Sequence, residues 1–394
     1  MAMDRYLLIL LAALLLASCS ANDSEEQAGG SAIASAVSFD VTTDDAATRG
    51  VIANTQAFLT DGRQFRVWAF MKKGTDPEQV MTSDYNSSPL QSVDVTYIAY
   101  RNEWWTYAND GINPETYYWP SPEYAVSFYA VYPNSDIFNK TNKTLDYTVP
   151  VDNSTQDVMY ATAYGKRDGT EKANERKGVE LKFHHALSQI SFYGKLTTTL
   201  ESFGWTIDVN SITLCNVMSQ GELPMNVIKD PVNDHLATQF TSTSLSTPVN
   251  YSFVMNTDRT TISDDTEYIL LTSPTDVTML LPQSLTAWNK TTEITPSATN
   301  IGSYLKIGLR IKDATNYVLG DATTDAIVYA PFDCGVAGGW LAGQHYKYKL
   351  AFNGGYNALG HPVIKDISIS AAIAPWMNDE NIQSGSATHQ PANP

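Results

Sequence analysis

Apolar residues recur at every second position through most of this 394-residue chain, and no long stretch repeats with the 3.6-residue period of an amphipathic helix. Tyr124, Val126, Phe128, Ala130 and Tyr132 share one phase until Pro133 ends the run. Val179, Leu181 and Phe183 alternate in the same way, and Leu305, Ile307, Leu309 and Ile311 alternate against Lys306, Gly308 and Arg310. Residues 206–214 change phase midway, from Ile207 and Val209 to Ile212 and Leu214, which suits one strand with a bend. Only residues 197–203 suit a helical turn or two. Side chains two apart fall on one face of a strand, so each segment has one face to bury. Many short strands separated by Gly, Pro, Asn and Asp predict an all-β chain built of β-sandwiches. The polar, charged run over residues 165–177 is the best candidate for a boundary or a long hairpin loop between two halves of roughly seven strands each.

The N-terminal end follows another logic. Arg5 precedes an apolar run over residues 6–17, and Leu16-Ala17-Ser18-Cys19 closes it. A charged start, an apolar middle and small residues at the cut make a secretory signal peptide over residues 1–18. The cysteine reads as a lipobox, with Cys19 lipidated as the first mature residue; an ordinary cleaved signal with an incidental cysteine is the other reading. The apolar run is shorter than the ~20 residues a membrane-spanning helix needs. Residues 19–36 are small, polar and acidic and are expected to form a disordered tether. Val37, Phe39 and Val41 then alternate with Ser38 and Asp40 as a half-buried strand, followed by a loop that carries Arg49-Gly50. At the other end, residues 378–394 are polar and without alternation, as a loose tail would be.

The formal charge of −17 is unchanged by loss of residues 1–18, which carry one Asp and one Arg. Such a chain repels phosphate, so nucleic acid is excluded as a partner. No phosphate-binding glycine loop, paired-cysteine metal spacing or nucleophile elbow is present, and no catalytic residue, metal or cofactor is assigned. His184-His185 are neighbours on a strand and point to opposite faces, so they cannot chelate one ion together. The acidic loops around Asp264-Asp265 and Asp321–Asp325 could hold calcium or be solvated. Cys215 and Cys334 could pair in an oxidising compartment or remain buried thiols. Trp104, Trp105, Tyr118 and Trp119 are candidate ligand-facing aromatics for a glycan surface, with core packing as the alternative.

Four segments in order resemble the fimbrillin (Mfa-like) family of Bacteroidetes, the subunits and anchors of type V pili. They are residues 126–133 (Val-Ser-Phe-Tyr-Ala-Val-Tyr-Pro), 157–161 (Asp-Val-Met-Tyr-Ala), 179–190 (Val-Glu-Leu-Lys-Phe-His-His-Ala-Leu-Ser-Gln-Ile) and 340–348 (Trp-Leu-Ala-Gly-Gln-His-Tyr-Lys-Tyr). The resemblance runs from about residue 37 to Trp376. It implies two tandem transthyretin-like (Greek-key) β-sandwich domains, residues 37–178 and 179–377, the first opening with a removable strand and loop over 37–49.

The resemblance also gives the Arg49 loop a meaning, since polymerising subunits of the family are cut by a trypsin-like protease after an Arg that follows the first strand. It implies processing at Arg49-Gly50, departure of the strand bearing Val37, Phe39 and Val41, and its replacement by a strand from another fimbrial subunit. One feature departs from a stalk subunit: the stretch after Trp376 has no apolar alternation with which to donate. That suits a tip subunit or an anchor, and Arg49 favours the tip. The expected function is therefore a surface-exposed fimbrial subunit acting in adhesion, held at the outer membrane by the Cys19 lipid until processing, with a surface glycan or protein as receptor. A monomeric glycan-binding outer-membrane lipoprotein is the alternative.

Overall fold

The computed structural model describes residues 36–43, 55–60, 62–82, 89–99, 104–107, 116–152, 155–167, 178–229, 235–241, 248–258, 261–295, 301–353 and 367–375. The lipidation and processing positions Cys19, Arg49 and Gly50, nearly all of the tether and the whole tail lie outside the described residues. So does the side chain of Trp104. Ala36, the last tether residue, is described and already bridges Tyr118. No described helix is long and apolar enough to cross a membrane.

The regular structure of the described chain is nearly all strand, with short helices at Thr55–Phe58 and Thr198–Ser202. The first sheet is formed by β1 (Phe39–Thr43), β2 (Gln64–Lys72), β3 (Gln79–Val80), β4 (Val93–Ile98), β5 (Trp104–Thr106), β6 (Ala125–Tyr132), β9 (Met159–Lys166) and β10 (Val179–His185). Their order is β1-β10-β9-β6-β2-β4-β5, with β3 beside β2. Cross-strand partners share a face. Val67 with Ala130, Ala69 with Phe128 and Met71 with Val126 point into one apolar cluster. Trp68 and Tyr129, also partners, point to the opposite face and into a second cluster. There Phe138 of β7 (Phe138–Asn139) packs 4.9 Å from the Trp68 ring and stacks on Tyr129 at 5.0 Å.

The strand β8 (Thr144–Thr148) pairs both with β7 and with β13 (Gln220–Pro224), so a three-stranded sheet joins the two halves of the chain. The later half is a sandwich. One sheet holds β11 (Ser188–Leu196), β16 (Ile269–Leu270), β17 (Thr278–Leu280), β21 (Gln344–Phe352) and β22 (Ser368–Pro375). The other holds β12 (Thr206–Val217), β14 (Val249–Ser252), β15 (Thr261–Ile262), β18 (Tyr304–Lys312), β19 (Tyr317–Leu319) and β20 (Ala326–Pro331). Phe192, Tyr346, Tyr348 and Leu350 of the first meet Ile207, Val209, Ile212, Leu305, Ile307 and Val328 of the second, all within one core.

The bend expected in residues 206–214 is a shift of register on β18 between Val209 and Ser211, which lets both phases of β12 face the core. The boundary expected at Val179 falls elsewhere. A strand does begin there, but it bonds to β1 and β9 of the first sheet, and the chain changes sheet between His185 and Ser188. Cys215 and Cys334 are buried free thiols, and burial pushes both up to about 11.

Surface carboxylates give the fold an acid limit. Hydrogen bonds from Arg66 hold Asp136 below its ordinary value. Burial works to raise Asp208, and the bonds from Lys312 and Thr261 outweigh it. Thr266 lowers Asp264, the backbone of Thr315 lowers Asp313 and the backbone of Thr323 lowers Asp321. A carboxylate whose folded value is depressed adds stability above its unfolded value and loses it as the pH falls through the folded one. Thermal stability is therefore expected to hold near neutrality and to fall below about pH 4. Melting curves between pH 7 and pH 2.5 test this: Asp208→Asn should flatten part of the decline, and a melting temperature constant over that range would contradict it.

Candidate functional site

The side chains that set β1 apart are those of its inward phase. Val37, Phe39, Val41 and Thr43 are buried, while Ser38 and Asp40 are exposed and Thr42 is half-buried. Phe39 sits at the centre of an aromatic nest, with ring centroids 5.8 Å from Phe65, 5.9 Å from Tyr107 and 6.2 Å from Phe128. Fully burying each of Val37, Phe39 and Val41 is worth roughly 1.5–3 kcal/mol as an upper-bound transfer term.

The backbone of β1 is held mainly along one side. It runs parallel to β10, with Phe39 opposite Val179, Val41 opposite Leu181 and Thr43 opposite Phe183. At its start the Val37 amide donates to the Tyr117 carbonyl at 2.7 Å, and the Tyr107 hydroxyl donates to the Val37 carbonyl at 3.0 Å. Burial raises the Tyr107 phenol well above its ordinary value, so it stays a donor at neutral pH. At the far end the Thr43 amide donates to Thr55 Oγ1 at 3.0 Å. Residues 44–54, with Arg49 among them, thus connect two ends that are pinned to each other.

Gly178 sets the closeness of the seat. Its φ is +76°, and a Cβ there would stand 2.7 Å from the Phe39 carbonyl carbon and 2.9 Å from the backbone nitrogens of Phe39 and Asp40. Only glycine meets both demands at low cost. Gly178, Tyr107 and the Phe65–Phe128 nest were not singled out by sequence. The readable sign was a lone glycine directly before the alternation that starts at Val179.

The three candidate ligand aromatics whose side chains are described, Trp105, Tyr118 and Trp119, stand in different settings. Trp105 is half-buried in the core, with ring centroids 4.9 Å from Phe65, 5.2 Å from Tyr97 and 5.6 Å from Phe58. Tyr118 is half-buried and its backbone bridges Ala36. Trp119 packs against Gly165 and edge-on to Phe128 at 5.5 Å. The histidines separate as strand neighbours must: His185 is buried with Nδ1 3.1 Å from Asp157 Oδ1, and His184 stays half-exposed on the outer face. Among the described residues no three His, Cys, Asp or Glu side chains group so as to hold a metal ion. The acidic loops are occupied internally, Asp264 by Thr266 and Asp321 by Thr323 and Thr324.

A family model described as fimbrillin-like matches residues 48–376. No curated protein sequence matches the chain. Among solved structures, the chain is similar to a fimbrial protein from Bacteroides vulgatus, with 16% identity and a TM-score of 0.48 over 87% of this chain and 99% of that one. It is also similar to the tip fimbrial protein Mfa3 from Porphyromonas gingivalis with a C-terminal truncation, with 8% identity and a TM-score of 0.39 over 86% of this chain and all of the other.

Proposed function

The chain belongs to the fimbrillin-like family, and on that premise we propose that it is a surface-exposed, tip-like fimbrial subunit assembled by protease-triggered strand exchange and acting in adhesion. The single observation that carries this reading is the seat of β1: an edge strand buried on one face, paired along one side and followed by an Arg-containing connection. A cut after Arg49 frees β1 from the rest of the chain except through non-covalent contacts. Its departure uncovers Phe65 and Phe128 and leaves unpaired the amides and carbonyls of β10 that faced it. A strand from another subunit restores both, and because the contact is between unlike surfaces it can repeat head to tail.

The tip-like assignment is supported by β22. Eight of its residues, Ser368 to Pro375, are already paired with β21 inside this subunit, and the sequence after Trp376 is polar. In this reading Cys19 carries the lipid that holds the precursor at the outer membrane, other fimbrial subunits are the partners, and the protein has no catalytic role.

Trypsin treatment of purified precursor tests the proposal. Cleavage is expected after Arg49, with Gly50 as the new N terminus, loss of β1 and uptake of a donor strand from an added fimbrial subunit, and Arg49→Ala should block all three. A cell-surface form that begins at acylated Cys19, or a cut subunit that takes up no donor strand from another fimbrial subunit, would overturn it.

A further inference from the structure

The outer face of β1, β10 and β9 forms the floor of an open groove of about 720 Å³. We infer that this groove is a binding site for a neutral saccharide. Its volume lies in the range of small-ligand sites. The strands are adjacent, so the pleat sets the side chains of the floor, while Trp119, Ile228 and Leu236 come from other segments. Asp40 of β1 stands opposite Glu180 of β10, and Lys182 and His184 follow on the same face of β10. Tyr164 and Lys166 come from β9, and Trp119 closes one side.

Two aromatic rings border the groove and differ in how firmly they are held. Trp119 is fixed by Gly165, where a Cβ would come within 2.8 Å of its Cη2, and by the edge of Phe128. Tyr164 is 44% exposed, with Lys229 Nζ 5.2 Å from its ring centre. Such rings offer apolar faces to the C–H side of a sugar, and a ring already locked by packing loses little entropy on binding.

The charges decide the class of ligand. The chain as a whole carries −17, yet the groove sets the carboxylates of Asp40 and Glu180 beside the ammonium groups of Lys166 and Lys182 and the imidazole of His184. An anion or a cation of any size meets a like charge there. A purely apolar ligand would strip water from charged groups without replacing its hydrogen bonds. Sugar hydroxyls donate to the carboxylates and accept from the ammonium groups, which satisfies both signs at once.

The uncut full-length chain should be titrated with maltohexaose, xylohexaose, mannopentaose and chitotriose, read by tryptophan fluorescence and calorimetry. At least one is expected to bind. Trp119→Ala and Tyr164→Ala should each raise Kd about tenfold or more. Because Trp119 is packed, the exposed positions Tyr164 and Glu180 carry the decisive variants, with Tyr164→Ala and Glu180→Gln expected to leave the melting temperature unchanged. No binding to any of the four sugars at millimolar concentration would overturn the inference. So would binding indifferent to both exposed variants, or tighter, salt-sensitive binding of polygalacturonate. Because Ser38 and Asp40 of the lining leave with β1 on processing, the inference applies to the uncut subunit, which is the form tested, and either reading can fail without the other.

Discussion

Gly178→Val is expected to dislodge β1 while the later sandwich stays folded. The substitution does two things at one point. It forces a β-branched residue to hold a φ of +76°, and a left-handed conformation costs an L-residue roughly 1–2 kcal/mol. It also places a Cβ under 3 Å from backbone atoms of Phe39 and Asp40, and backbone cannot swing aside as a flexible side chain would. Relief comes most easily by lifting β1, which is paired along one side, rather than by moving β10, which is held between β1 and β9. Hydrogen exchange gives the readout. Amides of Phe39–Thr43 should lose protection, while those of β11 and β21, which pair over eight positions in the other sandwich, should keep it. Retained protection across Phe39–Thr43 would show that the close approach does not govern the seat. Gly178→Ala should act in the same direction with a smaller effect.

Trp340→Ala is expected to cost about 3–5 kcal/mol of stability, the usual range for removing a large aromatic from a core. Trp340 is fully buried, with ring centroids 6.3 Å from both Phe332 and Tyr346. Its Nε1 donates to the Tyr348 hydroxyl at 2.6 Å, and that hydroxyl donates to the Cys334 carbonyl at 2.8 Å. The Trp340 amide in turn donates to the Gln283 carbonyl at 2.9 Å. One residue thus ties the segment before β21 to the core and to the chain leaving β17. Trp340→Phe keeps much of the volume and removes the indole donor, so its cost should be nearer 1–2 kcal/mol. Urea unfolding of both variants separates packing from hydrogen bonding, and equal losses would mean that the indole bond dominates.

How much of this was readable depends on which relation is asked about. Alternation reports a strand's own two faces, and so the inward set of β18 and the bend in β12 could be read directly. The same signal picked out Val37, Phe39 and Val41 as one apolar face, and they are buried. Alternation says nothing about which strand lies alongside. Val179–His185 looks equally suited to either half, and its place in the first sheet follows from bonds to β1 and β9 that leave no local trace. The seat of Phe39 was hidden for the same reason, because Phe65, Tyr107 and Phe128 come from three separate segments. Paired aromatics were ambiguous in a different way. Alternation cannot tell whether Trp105 turns inward, and only the neighbouring rings show it packed against Phe65 and Phe58.

The parallel register of β1 on β10 bears on the order of events while the chain is being made. Asp40 meets Glu180, a partner translated about 140 residues later. At a synthesis rate of 5–20 residues per second that is a wait of roughly 7–28 s. Closing so long a loop also makes the pairing slow to form afterwards. The earliest strand of the first sheet is the last of that sheet that can be laid down, and through that interval its apolar face is open to whatever export or chaperone factor meets it first.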